Sequence, residues 1–210
     1  MKKLFLLSVI AMLASPVGAT EYNIDLGHSN VTFTIRHLIG KVTGRFKKFE
    51  GKFAYDQGDD RVWSAQASIE VASIDTDVVN RDKHLLSADF FDAERCPKIE
   101  FKSVKVSEIR ANRAKLEGDL TMHCVTKPVA LELEISDEMK DAQGDIRRAA
   151  TATATINRKD FGMEYNKTLD AGGLVLGDDV MVVINIEGIA AGSAPKAASE
   201  KKAGKAPKKK

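Results

Sequence analysis

Residues that could do chemistry are few in this sequence, and their spacing does not suit a metal site. The four histidines are His28, His37, His84 and His123, and they form neither a His-x-His nor a His-x₃-His pair. No cysteine stands at ligand spacing from them, whereas zinc sites usually draw two ligands from such short spacings. We therefore expect no metal ion and no other cofactor.

Catalytic motifs are also missing from the sequence. It contains no Gly-x-Ser-x-Gly elbow to expose a nucleophilic serine, and no glycine-rich loop to cradle a phosphate. Asp77, Asp82, Asp89 and Asp92 are grouped, but aspartates near a helix start or in turns are commonly caps. The sequence thus predicts no catalytic residue and no enzyme.

The two cysteines, Cys96 and Cys124, could form a disulfide. Segments 98–106 and 114–122 alternate in polarity and are predicted to form a hairpin that turns near Arg110. The two cysteines are about equally distant from that turn, so we predict a disulfide across the open end of the hairpin. The alternative is a redox pair, for which the usual Cys-x-x-Cys spacing is lacking.

The elements that must position these residues are mostly strands. Apolar and polar residues alternate with period two, as in half-buried antiparallel strands. The alternating stretches are 29–37, 49–55, 66–71, 98–102, 116–122, 129–135, 150–156 and 180–187, after a short leading strand at 22–25. Closing these eight strands into a barrel removes their unpaired edges, so an all-β, eight-stranded antiparallel barrel is predicted.

The polarity of the strands predicts which face lies inside the barrel. Lys98, Glu100 and Lys102 occupy every second position of one strand, and lipid would exclude such charges from an outer face. The apolar face is therefore expected to line the interior. An eight-stranded barrel is either packed solid or holds one small ligand, and the pattern leaves both alternatives open.

The stretch 81–101, RDKHLLSADFFDAERCPKIEF, interrupts the alternation. It predicts a short helix at about 77–87, followed by the aromatic pair Phe90 and Phe91. We expect this segment to close or gate one end of the barrel, with Cys96 fastening it to the neighbouring strand.

The N-terminal 19 residues read as a signal peptide. Lys2 and Lys3 precede an apolar run that is too short to span a bilayer, and small residues lead up to Ala19. Cleavage is expected after about Ala19, with export to the periplasm.

The C-terminal stretch 190–210 differs from the domain at 20–189. It carries a net charge of +6, against −6 for the domain, and is rich in lysine and alanine. Too few apolar residues are present for it to fold, so a disordered tail is predicted. The tail is either only solvated or touches anionic surfaces.

A series of ordered motifs carries a resemblance over nearly all of residues 22–189. The motifs are Tyr22-x-x-Asp25-x-x-His28-Ser29, Val31-x-Phe33-x-Ile35-Arg36-His37-Leu38, Gly44-Arg45-Phe46, Phe49-x-Gly51, Ser73-Ile74-Asp75-Thr76, Arg81-Asp82-x-His84-Leu85, Asp89-Phe90-Phe91-Asp92, Pro97-x-Ile99-x-Phe101-x-Ser103, Gly118-Asp119-Leu120-Thr121, Val125-Thr126-Lys127-Pro128-Val129 and Asn157-Arg158-x-Asp160-Phe161-Gly162. With them, the chain resembles the YceI-like family of lipocalin-like polyisoprenoid-binding proteins. It departs from the family at Cys124, where glycine is usual, and at Cys96.

The resemblance implies a lipocalin-like barrel with a long hydrophobic tunnel and no catalysis. Its ligand would be a polyisoprenoid, an isoprenoid quinone or another long-chain lipid, which the protein sequesters or carries. The residues expected to face the ligand are Phe33, Ile35, His37, Phe46, Phe53, Ile69, Val71, Leu85, Phe90, Phe91, Ile99, Phe101, Leu120, Met122, Leu131, Val182 and Ile184.

His37, Arg81 and His84 are the candidates for binding the ligand's head group. For Arg81 the alternative is a local salt bridge with Asp82 that braces the helix. A homodimer is permitted by the resemblance, and no nucleic-acid partner is expected. Two other functions stay open: a ligand-free structural or stress-response protein, and an enzyme that acts on bound lipid.

Overall fold

A computed structural model describes residues 18–56, 58–59, 63–168 and 174–192. The predicted signal peptide up to Val17, and the tail after Gly192, lie outside these residues. The strands are β1 Thr20–Ile24, β2 Asn30–His37, β3 Gly40–Phe46, β4 Phe49–Tyr55, β5 Ser64–Glu70, β6 Ile74–Asp75, β7 Lys98–Arg110, β8 Arg113–Met122, β9 Val125–Ile135, β10 Met139–Lys140, β11 Ile146–Asn157 and β12 Leu176–Ala190. One α-helix, α1, spans Val79–Leu85, and short 3₁₀ helices span Leu26–His28, Val71–Ser73 and Arg158–Phe161.

The strands form one closed antiparallel barrel. β1 and β2 both pair with β12, and the 3₁₀ helix between them bends what is otherwise one long strand. β3 and β4 run back along β2 and β1 in the same way, and β5 and β6 run along β4 and β3. These three composite strands, with β7, β8, β9, β11 and β12, make the eight-stranded barrel, which the β11–β12 and β12–β2 pairings close. The predicted fold class is confirmed.

The β7–β8 hairpin turns where the sequence indicated. Arg110 pairs with Arg113, and the register shifts twice along the hairpin, between Ser103 and Lys105 and between Ser107 and Arg110. The predicted helix is also present, though shorter than 77–87. At the C-terminal end, Ala190 belongs to β12 and is buried, so the strand runs one residue past the predicted boundary of the tail.

One end of the barrel, which we call the closed end, is filled by aromatic side chains. Tyr22 stacks on Phe53 with ring centroids 4.9 Å apart, and Tyr55 packs on Trp63 at 4.5 Å. The buried guanidinium of Arg148 lies 4.1 Å from the Tyr55 ring centroid and donates to the backbone oxygen of Ser136. The opposite end, which carries α1 and the β2–β3 turn, we call the open end.

Candidate ligand-binding cavity

A cavity of about 520 Å³ occupies the half of the barrel towards the open end. This volume is in the usual range for small-molecule sites. Of the residues expected to face a ligand, thirteen line the cavity: Phe33, Ile35, His37, Phe46, Ile69, Leu85, Phe90, Phe91, Ile99, Leu120, Met122, Val182 and Ile184. Nearly all are apolar, so the cavity offers an alkyl or isoprenoid chain a surface that excludes water.

Four residues expected to face the ligand pack elsewhere. Phe53 belongs to the aromatic cluster of the closed end, and Leu131 packs with Leu116 in mid-barrel. Phe101 packs against the same mid-barrel cluster and lies so close to Gly118 that a Cβ there would be 2.6 Å from its ring. Val71 is wholly buried in the core, because the strand gives way to a 3₁₀ helix at this residue. The alternation of polarity predicted which side chains point into the barrel, but not how far along the barrel axis each of them lies.

The segment from α1 to Cys96, which was predicted to close or gate one end of the barrel, covers one side of the cavity. Leu85, Phe90 and Phe91 all line it, and Phe91 meets Phe46 edge-on at 5.9 Å. The Nε2 of His84 donates to the Asp89 carboxylate at 2.8 Å, and the imidazole lies edge-on to the rings of Phe90 and Tyr165. The segment is therefore a packed wall of the cavity.

Thr76 is the point at which α1 is attached to the barrel. The Nε of Arg81 donates to the Thr76 hydroxyl at 2.7 Å, and its Nη2 donates to the Thr76 carbonyl at 2.6 Å. Asp82 accepts from the Thr76 backbone N–H at 3.0 Å. Arg81 and Asp82 brace the helix through this shared partner, and not through the mutual salt bridge that the sequence suggested.

Arg158 positions the segment that completes the mouth, and its role was missed in the sequence. Its side chain is only 3% exposed and donates to the backbone oxygens of Met163, Tyr165 and Gly177 and to Asp178. A hydrogen bond from Lys159, with the nearby Arg158 charge, lowers the pKa of Asp178. The non-periodic segment, of which residues 163–168 and 174–175 are described, contributes Met163, Tyr165, Lys167 and Val175 to the cavity lining, and Leu176 at the start of β12 adds to them. The Asn157-Arg158 motif was the only sequence signal for it.

Apart from Tyr165, the ionisable side chains that line the cavity are all basic. Besides Thr32, Asn80 and Tyr165, the polar lining consists of His37, Arg81, His84, Arg158 and Lys167, and no carboxylate of the described residues is part of it. Arg81, His84 and Arg158 are engaged by Thr76, Asp89 and Asp178 respectively. His37 and Lys167 are exposed, and their side chains form no hydrogen bond or ion pair with the part of the chain that the structure describes.

The predicted disulfide between Cys96 and Cys124 is present, with the two Cα atoms 5.4 Å apart. Cys124 lies in the two-residue turn between β8 and β9, where both His123 and Cys124 have positive φ, at 51° and 57°. Such a turn favours glycine, and Cys124 adopts its conformation without being one. The disulfide fastens the wall segment that ends at Cys96 to the β8–β9 turn.

Asp25, His28 and Glu187 are close enough together to suggest a metal site. A guanidinium already lies among these carboxylates, since Arg147 Nη1 is 2.8 Å from Asp25 and 2.5 Å from Glu187. Hydrogen bonds from Arg147 and His28 lower the pKa of Asp25 to about 2. The group is a salt-bridge network and not part of the cavity.

Fold and cavity together define an antiparallel barrel of the binding-protein class, with an apolar site reached from one end. Among the described residues, no helix has the length and apolar character needed to cross a bilayer. The family model for the YceI-like domain matches residues 22–188, and the chain belongs to this family.

Relatives and solved structures agree with this assignment. A UPF0312 protein of Vibrio cholerae is 33% identical over 168 residues, which cover 78% of this chain and 89% of the relative. The crystal structure of Burkholderia cenocepacia BcnA matches with a TM-score of 0.70 at 22% identity, over 78% of this chain and 98% of BcnA. A polyisoprenoid-binding domain from Saccharophagus degradans matches with a TM-score of 0.61 at 15% identity, over 81% and 98% of the two chains. At these identities the two structures show a shared fold.

Proposed function

We propose that the protein is a periplasmic carrier that sequesters a polyisoprenoid, an isoprenoid quinone or a similar long-chain amphiphile. The observation that carries the proposal is the apolar cavity of about 520 Å³, which opens at one end of the barrel. Removing an isoprenoid chain from water gains about 25 cal/mol per Å² of apolar surface, so burial alone is a sufficient driving force. That a solved structure of this fold is described as a polyisoprenoid-binding domain supports the choice of ligand.

The ligand's head group would remain at the mouth, where the polar lining residues lie. His37 and Lys167 have no partner among the described residues, so they are free to bind an anionic or hydrogen-bonding head. Arg81 and His84 are already bonded to Thr76 and Asp89. Their part is to hold the wall that shapes the mouth.

The proposed compartment rests on two features. The N-terminal residues have the pattern of an export signal, and the Cys96–Cys124 disulfide requires an oxidising environment such as the periplasm. Chemistry on the bound lipid is not part of the proposal.

Native mass spectrometry of the protein, purified gently from its own periplasm, tests the proposal. A bound mass of several hundred daltons that is extractable into organic solvent and is identified as a prenyl or other long-chain lipid is expected. An empty barrel would contradict the carrier role and favour a ligand-free structural function. A changed lipid after incubation of the complex would indicate an enzyme instead.

A pair of variants on β12 makes the test specific for the cavity. Val182→Trp fills the cavity, because Val182 lines it, and should abolish the bound mass. Val183→Trp adds the same side chain on the opposite face of the same strand and should leave ligand binding unchanged, because successive strand residues point to opposite faces. If both variants bound the ligand equally well, the ligand-binding site would lie outside this cavity.

A further inference from the structure

The turn between β2 and β3 holds two large apolar side chains out of the protein. Ile39 is fully exposed, at 107% of its reference area, and Leu38 is 41% exposed. Single exposed apolar residues are common on protein surfaces, but two adjacent ones at the tip of a hairpin form a protruding apolar point.

The backbone of this turn is unusual for the residues that form it. Leu38 has a φ of 53°, in the left-handed region where glycine and asparagine are favoured. Its N–H donates to the Val175 carbonyl at 2.7 Å, and its carbonyl accepts from Arg36 Nη1 at 3.0 Å. The surrounding structure therefore imposes the conformation, and it does so for a leucine whose side chain contributes little to the core.

The turn lies at the mouth of the cavity. His37 before it, Val42 after it, and Val175 and Leu176 beside it all line the cavity. Leu174, which is also 41% exposed, precedes this neighbouring segment. Anything that contacts the tip of the turn also faces the opening through which a ligand must pass.

Cationic side chains surround the tip. Arg36 and Lys41 face each other across the hairpin directly below it, and both are exposed. His37 and Lys167 stand at the adjoining mouth. Among the described residues, two carboxylates near the start of β12, Asp178 and Asp179, are bonded to other side chains: Asp178 to Arg158 and Lys159, and Asp179 to Asn157. An apolar point within a cationic collar is the pattern by which proteins insert into an anionic lipid interface.

We propose that the β2–β3 turn docks the barrel onto an anionic lipid bilayer. Leu38 and Ile39 enter the headgroup region, Arg36 and Lys41 contact the lipid phosphates, and the cavity opens towards the lipid. This inference goes beyond the proposed carrier role and needs no bound ligand.

Sedimentation of the protein with vesicles tests the docking surface. Vesicles of phosphatidylcholine with phosphatidylglycerol are compared with phosphatidylcholine alone, at low and high salt. The double variant Leu38→Asn/Ile39→Asn is expected to bind the anionic vesicles roughly tenfold more weakly, which corresponds to about 1.4 kcal/mol. Asparagine is suited to the positive φ of Leu38, so the turn itself should be retained. Undiminished binding by this variant would overturn the proposal.

The matched control is Met139→Asn, which removes a 70% exposed apolar side chain from β10 at the closed end. It should bind the vesicles as the unchanged protein does. Every variant carries the same basic tail, so a difference in vesicle binding between the two variants can be attributed to the turn. A tryptophan at the tip, Ile39→Trp, should shift its fluorescence to the blue on anionic vesicles, and the absence of a shift would argue against insertion.

The cavity variant Val182→Trp separates this proposal from the carrier role. If docking uses the turn, this variant still binds vesicles although it binds no ligand. If it loses vesicle binding as well, the association arises from lipid entering the cavity and the docking proposal fails.

Discussion

The Nη1 of Arg147 lies 2.8 Å from Oδ2 of Asp25. This contact joins β11 to the turn that separates β1 from β2, across a sequence separation of 122 residues. Glu187 on β12 and Asp141 accept from the same guanidinium, so four segments meet at one cation. The salt-bridge network thus holds together strands that close the barrel, far from the cavity mouth.

Acid should weaken this network. The pKa of Asp25 in the folded protein is about 2, below the usual value of 3.8, chiefly because Arg147 donates a hydrogen bond to the ionised carboxylate. The stabilisation is therefore present above about pH 4 and is lost as the pH falls through 2. Asp25→Asn should cost on the order of 1 kcal/mol at pH 7 and progressively less between pH 4 and 2.

Urea unfolding of the protein and of Asp25→Asn across this pH range measures the effect. Asp119→Asn is the control, because Asp119 is exposed on β8 and forms no ion pair with the described residues. A cost of Asp25→Asn that is the same at pH 7 and pH 2 would refute the assigned role.

Loss of the disulfide should destabilise the whole domain. The Cys96–Cys124 bond closes a loop with a sequence separation of 28, for which chain entropy suggests about 3–4 kcal/mol. Cys96→Ser/Cys124→Ser should lower the urea midpoint accordingly, and a reductant should then have no further effect. If the reductant leaves the unchanged protein as stable as before, the bond is not formed in solution.

Replacing Arg158 should loosen the mouth as well as the fold. Arg158→Leu leaves three backbone carbonyls without this donor and removes one of the two cationic partners of Asp178, and breaking such a buried arrangement typically costs about 3–5 kcal/mol. Hydrogen exchange should rise over 163–168 and 174–178 before it rises elsewhere. Lys159→Ala, which removes an exposed partner of the same Asp178, should cost less than about 1 kcal/mol.

The residues at the mouth can be sorted by comparing a prenyl phosphate with the corresponding alcohol. His37→Gln and Lys167→Gln should weaken the phosphate more than the alcohol, because both side chains are free to bind the head. Arg81→Ala should weaken the binding of the two ligands about equally, since the Arg81 guanidinium already donates to Thr76. Titration calorimetry or displacement of a fluorescent lipid measures this difference. If Arg81→Ala weakened binding of the phosphate but not of the alcohol, Arg81 would be a head-group ligand after all.

Much of the barrel could be predicted from alternation alone, but β3 could not. Its inward positions are Val42, Gly44 and Phe46, and the glycine breaks the apolar run. A Cβ at Gly44 would lie 2.4 Å from the ring of Phe33 and 2.8 Å from Thr76 Cγ2. The absence of a side chain at Gly44 makes room for Phe33 and Thr76. Because this requirement comes from other parts of the chain, the local sequence pattern could not predict it.

The sequence by itself determined the barrel, its apolar interior, the covering segment after α1 and the pairing of the two cysteines. These follow from the period of a strand, from turn chemistry and from distances along one hairpin, all of which are local. The tertiary structure decided where the cavity lies, because depth along a barrel depends on which side chains from different strands meet. It placed Phe53 and Leu131 in packed layers and left the space beside Val182 open. It also brought Arg158 under the non-periodic segment, and thereby added Tyr165 and Lys167 to the mouth.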